Sequence, residues 1–410
     1  RTRTVTGSPE PAVGSTDQPH SGLEAVWTAV DDAGAVGFVH VGIRFDPSRR
    51  YLTRVDGPDR ETALVVLPGT KNQPPQAVYC VPRGVASEVT AFEQSTSDSE
   101  ISRQIEGRPP TTATGQQVRA VLADRLGTTA SDGTLLVPRT LPHDAAVFLQ
   151  EAGYELQSTP AVTTARATKT SAERDCLRAV QAAAADGLAR SEAVLAASEP
   201  VDGRLVVDGQ PLTAERLRRQ INTELAASGV APADNTSIEA DTDVAGRLPA
   251  GEPIRLTVSP RGPHGYHGHL TRTVAVDSEG GWERRAFIAA EAGLQAAQRE
   301  IKPGVDVSTV QGEAVAEVGA YGFAVTPDTD QPTQGRATAT VHGVGLSTHE
   351  QPAVGAESQL RAGAVIAVDT GVVDPARGTI RLGTLFVVSE EGPETLIEYP
   401  TSLTPVDRLN

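Results

Sequence analysis

Two short stretches gather the side chains best suited to chemistry: His342-Gly-Val-Gly-Leu-Ser-Thr-His349-Glu350 and Gly265-Tyr-His-Gly-His269-Leu-Thr-Arg-Thr273. In the first, His349 sets an imidazole next to the Glu350 carboxylate. A buried Glu350 can serve as general acid or base, although a structural hydrogen bond within its loop is the plainer expectation. Ser347 and Thr348 fit a hydroxyl–imidazole pair with His349 only loosely. In the second, His264 and His267 crowd the same loop as His269, and most loop histidines of this kind are surface residues. No Gly-x-Ser-x-Gly nucleophile elbow occurs. No glycine cluster has the strand–turn–helix setting of a phosphate loop.

The chain around these stretches bounds what they can do. At 410 residues it is long enough for two or three domains with sizeable cores. A net charge of −16, with no basic patch to neutralise phosphates, argues against a nucleic-acid partner. Lys71, Lys169 and Lys302 are the only lysines; scarce lysine with excess acid suits either a high-salt cytoplasm or a GC-rich genome. Cys80 and Cys176 are too few for a disulfide framework or a thiolate cage. No apolar run approaches the roughly 18 residues of a membrane span, so no membrane partner is expected. Residues 1–21 read as a loose polar tail without a signal-peptide core. Methionine is absent, so the initiator at least has been removed or left out. The expectation is a soluble cytoplasmic protein.

Two units must position the candidate residues. Over 22–164, helical patterns (Leu23 to Ala33, Thr111 to Leu126, His143 to Ala152) alternate with extended ones (Ala63 to Leu67, Ala77 to Val81, Thr134 to Val137), which indicates an α/β domain. Thr114 and Gln117 are spaced as a capping box. Over 165–410, Thr170-x-x-Glu173 is a capping box opening a long Ala-rich helix that ends before Pro200, and Thr213 caps a helix stopped at Gly229. Further helices are expected at Trp282 to Glu300 and Val307 to Val318. Strands are expected at Ile254 to Ser259, Thr271 to Asp277, Ala337 to Val341, Ala364 to Thr370 and Thr379 to Val388. Each rough half pairs helices with a β-ribbon.

Four stretches in order and spacing resemble the pita-bread metallopeptidases, the family of creatinase, prolidase and Xaa-Pro aminopeptidase: Ser259 to Thr273, His342 to Pro352, Val365-Ile-Ala-Val-Asp-Thr-Gly371 and Gly378-Thr-Ile-Arg-Leu-Gly383. The resemblance implies an α+β pita-bread domain over 165–410, preceded by a creatinase/prolidase-like α/β domain. It also implies five metal-ligand positions, which family members fill with Asp, Asp, His, Glu and Glu around two divalent metals. Here they fall at Thr257, His269, His342, Asp369 and Gly383. Position 269 directly precedes Leu-Thr-Arg-Thr, and positions 369 and 383 stand fourteen apart, as the two family Glu ligands do. Only His342 is unchanged. Four carboxylates balance two dications; one carboxylate, Asp369, does not, so a dinuclear site and its bridging hydroxide are not expected.

The resemblance leaves two imidazoles and a carboxylate, His269, His342 and Asp369, at positions that share one of the two family metals. That is the ligand set of a mononuclear zinc site or an iron facial triad, so one divalent transition metal (Zn, Mn or Fe) is a candidate cofactor. By the same resemblance His349 moves protons and Arg381 faces the substrate, where it would clamp a carboxylate. A further substrate-facing family histidine has no match within Glu239 to Arg247. Two readings follow. In one, a hydrolase-like enzyme acts on a small amide or peptide-like substrate through a single metal. In the other, a catalytically silent relative uses the old cleft for binding. Homodimerisation is expected by analogy with prolidase-like relatives.

Overall fold

Short β-branched runs alternating with amphipathic helices build a six-stranded mixed sheet from the first part of the chain. The computed structural model describes residues 22–69, 73–94, 100–109, 111–127, 133–326, 335–355 and 359–409; the tail expected at 1–21 lies outside them. The first unit runs α1 (Gly22–Asp32), β1 (Gly37–Gly42), α2 (Pro47–Thr53), β2 (Thr62–Leu67), β3 (Gln76–Pro82), α3 (Ala91–Gln94), β4 (Ser102–Arg108), α4 (Thr114–Leu126), β5 (Thr134–Val137), α5 (His143–Glu151), β6 (Glu155–Ser158) and α6 (Ala161–Ala167). Strand order is β4-β3-β2-β1-β5-β6, antiparallel from β1 to β3 and parallel at both edges. β1 and β2 are buried along their whole length, as strands covered on both faces must be. The capping box expected at Thr114 and Gln117 does not form. The Thr114 hydroxyl instead accepts from Arg108 Nη2 at 3.2 Å, and Gln117 Nε2 donates to Glu106 O at 2.8 Å. The cap position is Ala113, whose N–H donates to Gln116 Oε1.

The second unit contains α7 (Ser171–Ala196), a small meander β7 (Glu199–Val201), β8 (Arg204–Val207) and β9 (Gln210–Pro211), then α8 (Ala214–Ala227), β10 (Thr236–Glu239), β11 (Ile254–Val258), β12 (Leu270–Val274), α9 (Trp282–Glu300), α10 (Val307–Ala320), β13 (Arg336–Gly343), β14 (Glu350–Ala353), β15 (Val365–Asp374), β16 (Gly378–Ser389) and β17 (Gly392–Thr395). The expected box at Thr170 and Glu173 opens α7, each side chain bonded to the other's backbone N–H. An antiparallel sheet runs β10-β11-β12-β16-β15-β13-β14, with β17 also on β16. α7 and α8 pack with β11 and β12 through Leu188, Ile221, Leu225 and Leu256, while α9 and α10 cover β13, β15 and β16 through Ala297, Val310, Val341 and Val368. Each such Leu, Val or Ile contributes roughly 1.5–3 kcal/mol by leaving water. At Gly293 a Cβ would lie 2.6 Å from Val318, so glycine is what lets α9 approach α10 this closely.

The helices cover one face of the sheet, which leaves its other face to line a cleft. The two units also share a core, in which Leu23, Val26 and Tyr51 meet Val344, Val365 and Leu385. The change of unit read at 164/165 falls inside α6. Among the described residues no helix is long and apolar enough to cross a membrane.

Candidate functional site

Antiparallel register sets one row of residues across the sheet. Ser237, Thr257, Thr271, Gly383, Asp369 and Thr340 are successive partners on β10, β11, β12, β16, β15 and β13. Directly paired residues share a face, so the side chains of this row look out of the same side of the sheet. Residues two positions along join them: His342 on β13 and Arg381 on β16, with His269 just before β12. Strand pairing therefore brings together the five positions Thr257, His269, His342, Asp369 and Gly383, with Arg381 beside them. β12 and β16 are paired only at Thr271 and Gly383. The buried Arg272 braces that narrow join, donating Nη1 to the carbonyls of Thr271 and Gly383 at 2.8 Å each and Nη2 to Tyr399 O at 2.6 Å.

Asp369 is the centre of the cluster and is only 4% exposed. Its Oδ2 accepts from His269 Nε2 at 2.8 Å. Burial pushes the carboxyl pKa up, but His269, Arg381 and the Thr271 hydroxyl together outweigh it and hold the group ionised, far below the usual range. Its other oxygen sits over Gly383: a Cβ there would fall 2.0 Å from Asp369 Oδ1 and 2.6 Å from Cγ. The Asp369 carboxylate thus fills the volume in which any larger residue at 383 would begin.

His269 has both ring nitrogens engaged. Nε2–H is donated to Asp369, and Nδ1 is hydrogen-bonded with the Ser259 hydroxyl at 3.1 Å. Its backbone is clamped by the buried Gln181 of α7, which accepts from His269 N–H and donates to His269 O, both at 2.8 Å. His342 donates Nδ1–H to Gly343 O at 3.1 Å and stacks on His349 with ring centroids 3.9 Å apart. Burial, reinforced by His349 and His269, brings the His342 pKa down to about 4. The His349 pKa is also lowered, first by burial and then by His269. Both rings are therefore neutral at pH 7, and among the described residues His342 Nε2 has no hydrogen-bond partner.

Arg381 reaches over the row, its Nη2 donating to Thr340 Oγ1 at 2.9 Å and its Nε 4.0 Å from Asp369 Oδ1. That Nε is buried and makes no hydrogen bond among the described residues, while the side chain as a whole is 26% exposed, so its outer guanidinium end faces the cleft. Glu350 stands elsewhere. Arg166 and Lys169 hold its carboxylate, the lysine at 2.7 Å, and the pair outweighs burial to keep it ionised. Glu350 ties the motif loop to α6 and the residues after it, and does not face Asp369. His264 is exposed, whereas His267 is buried on the far side of the loop.

As a metal seat the cluster fits poorly. Of the five positions only Asp369 carries a carboxylate, Thr257 and Gly383 offer neither a carboxylate nor an imidazole, and the Thr257 hydroxyl is bonded to that of Thr271 at 3.2 Å. His269 has no free lone pair directed at His342, whose ring centroid is 6.2 Å away. Among the described residues no group of three or more His, Cys, Asp or Glu is arranged to hold a metal ion. Sequence reasoning missed Ser259, Thr271 and Gln181, the partners that fix His269 and Asp369. Of these, only Gln181 left a readable signal, a polar residue on the apolar stripe of Leu177, Val180, Ala184 and Leu188 in an Ala-rich helix.

Residues 206–390 match the profile of metallopeptidase family M24. A relative, the probable dipeptidase PepE of Mycobacterium tuberculosis, is 26% identical over 147 residues, which is 35% of this chain and 36% of that protein; the match thus spans about a third of the curated relative's length. Among solved structures, the prolidase from Pyrococcus horikoshii OT3 superposes with a TM-score of 0.70 at 16% identity, covering 94% of this chain and all of the other. The N-terminal domain of FACT complex subunit SPT16 from chickpea gives a TM-score of 0.68 at 14% identity, covering 93% and 96%. These likenesses bear out the expected fold, an α/β domain followed by an α+β pita-bread domain.

Proposed function

We propose that this chain, which belongs to metallopeptidase family M24 through its carboxy-terminal domain, uses its cleft to bind a small peptide-like or amide ligand and does not perform two-metal hydrolysis. The seat of Asp369 carries this reading. Its carboxylate is satisfied by His269 and packed onto Gly383, where the family pattern calls for another acidic ligand. With one carboxylate in place of four, two dications would leave a large unbalanced positive charge in a buried site. The remaining groups suit recognition. The unfilled donors of Arg381 can take a ligand carboxylate, and the neutral His342 and His349 rings with the threonine row offer hydrogen bonds to an amide. Glu350 positions the loop that carries His349. A homodimer is part of this reading, checked by light scattering.

One observation favours a second reading. His342 is neutral, with Nδ1 and not Nε2 engaged by Gly343 O, and with a rearranged His269–Asp369 pair it would belong to a three-donor set for a single divalent ion. Its donors would be His269, His342 and Asp369, and the ion would polarise a carbonyl or activate water. Calorimetry with a panel of Xaa-Pro and other dipeptides, paired with chromatography of the mixtures, separates the readings. Binding reading: saturable heat that Arg381→Gln abolishes, with peptides recovered intact. Cleavage on addition of Mn, Co or Zn, or the absence of any binding, would overturn it.

A further inference from the structure

A second cavity, of about 280 Å³, lies between the two units, on residues that take no part in the His269–Asp369 row. Three arginines line it: Arg44 and Arg50 from the β1–α2 segment and Arg261 from the β11–β12 loop. The guanidiniums of Arg44 and Arg261 both lie against the Phe45 ring, 5.2 and 3.9 Å from its centroid. Among the described residues Asp56 is the one carboxylate lining the cavity, and it is paired with Arg50. Among the described residues neither Arg44 nor Arg261 has a carboxylate partner. Two uncompensated cations thus face one small space in a chain whose net charge is −16.

The cavity is braced before any ligand arrives. The buried Arg49 donates Nε to Ile43 O at 3.1 Å and Nη2 to Arg44 O at 2.6 Å, fixing the turn that presents Arg44 and Phe45. His267, 9% exposed, lines the same cavity. Arginine forks match carboxylate and phosphate oxygens in geometry. Forks arriving from separate segments suit a tetrahedral dianion better than one planar carboxylate.

We propose that this cavity binds a small phosphoryl anion, free phosphate or a small phosphate monoester, through Arg44, Arg50 and Arg261 beside the Phe45 ring. Because His267 N–H donates to Gly345 O at 2.8 Å, and Leu346 also lines the cavity, the bound anion touches both motif loops from behind. The test is calorimetric titration of the full chain with inorganic phosphate, glycerol phosphate and acetate at constant ionic strength. Saturable phosphate binding is expected, at least tenfold tighter than acetate and weakened at least tenfold by Arg44→Gln and by Arg261→Gln. A tighter glycerol phosphate would identify a monoester as the ligand, and equal affinities would identify free phosphate. Phosphate heats equal to those of chloride, affinity no better than acetate, or binding indifferent to both substitutions would overturn the proposal. Arg44 is exposed, so its variant keeps the fold, and the comparison of phosphate with acetate on the unaltered chain needs no variant.

Discussion

Replacing Gly383 by alanine probes the packing on which the proposed function rests. The new Cβ would fall 2.0 Å from Asp369 Oδ1 and 2.6 Å from Cγ, against 3.3 Å from Thr271 Cβ. Non-bonded contacts below about 3 Å are not tolerated, so the carboxylate must withdraw by about 1 Å or more, and the 2.8 Å bond to His269 breaks. Breaking a buried charged pair costs roughly 3–5 kcal/mol, and a hydrogen bond to a charged group is worth about 1.5–3 kcal/mol. We therefore expect Gly383→Ala to destabilise by about 3 kcal/mol. With Asp369→Ala already present the two short contacts are gone and what remains is no closer than 3.3 Å. The same change should then cost under about 1 kcal/mol, partly offset by the lower chain entropy of alanine. Urea unfolding of the four proteins of this cycle gives a coupling of about 2 kcal/mol or more. A cost below 1 kcal/mol in the unaltered chain, or the same cost in both backgrounds, would refute the reasoning.

Acid should weaken the protein in two stages. His342 titrates near 4 in the folded chain against 6.5 when unfolded, so as pH falls from 6.5 to 4 the unfolded state takes the proton first. About 3 kcal/mol is then lost, and His342→Gln should flatten that part of a stability-versus-pH curve from chemical denaturation. Asp369 and Glu350, both held below their unfolded values, contribute stability that is intact above about pH 4.5 and lost as pH falls further. Glu350→Gln leaves Arg166 and Lys169 buried without their anion and should cost roughly 3–5 kcal/mol in urea unfolding. A cost under 1 kcal/mol would place Glu350 outside the framework of the loop. Arg381→Gln removes an exposed contact, so it should change stability by less than about 1 kcal/mol while abolishing dipeptide binding by calorimetry.

Much of the fold was legible because periodicity, caps and motif order agree. Thr170 with Glu173 fixes the start of α7, and the Trp282–Glu300 helix and Thr134–Val137 strand appear with the bounds their patterns imply. The short strands β4, β7, β9, β14 and β17 carry little apolar alternation and take their form from neighbours, so they were not readable. The residues that would meet in the cleft were legible from motif spacing, because antiparallel register converts spacing into adjacency. Their chemistry was not. Whether His269 keeps a free nitrogen depends on Ser259, ten positions away, and on the rotamer of Asp369, which depends on the bare backbone at Gly383. The engagement of Glu350 by Arg166 and Lys169 spans more than 180 positions, and no local pattern records it.

In the proposed function the His269–Asp369 network is closed upon itself and leaves no seat for a catalytic metal. Its most direct test is titration of chelator-treated protein with Zn, Mn, Co and Fe(II), followed by calorimetry and thermal unfolding. The account predicts no saturable site tighter than about millimolar and no rise in Tm at a hundred micromolar metal. One equivalent bound with micromolar Kd, giving about 2.7 kcal/mol of stabilisation at a free concentration a hundredfold above Kd and lost in Asp369→Ala, would contradict it.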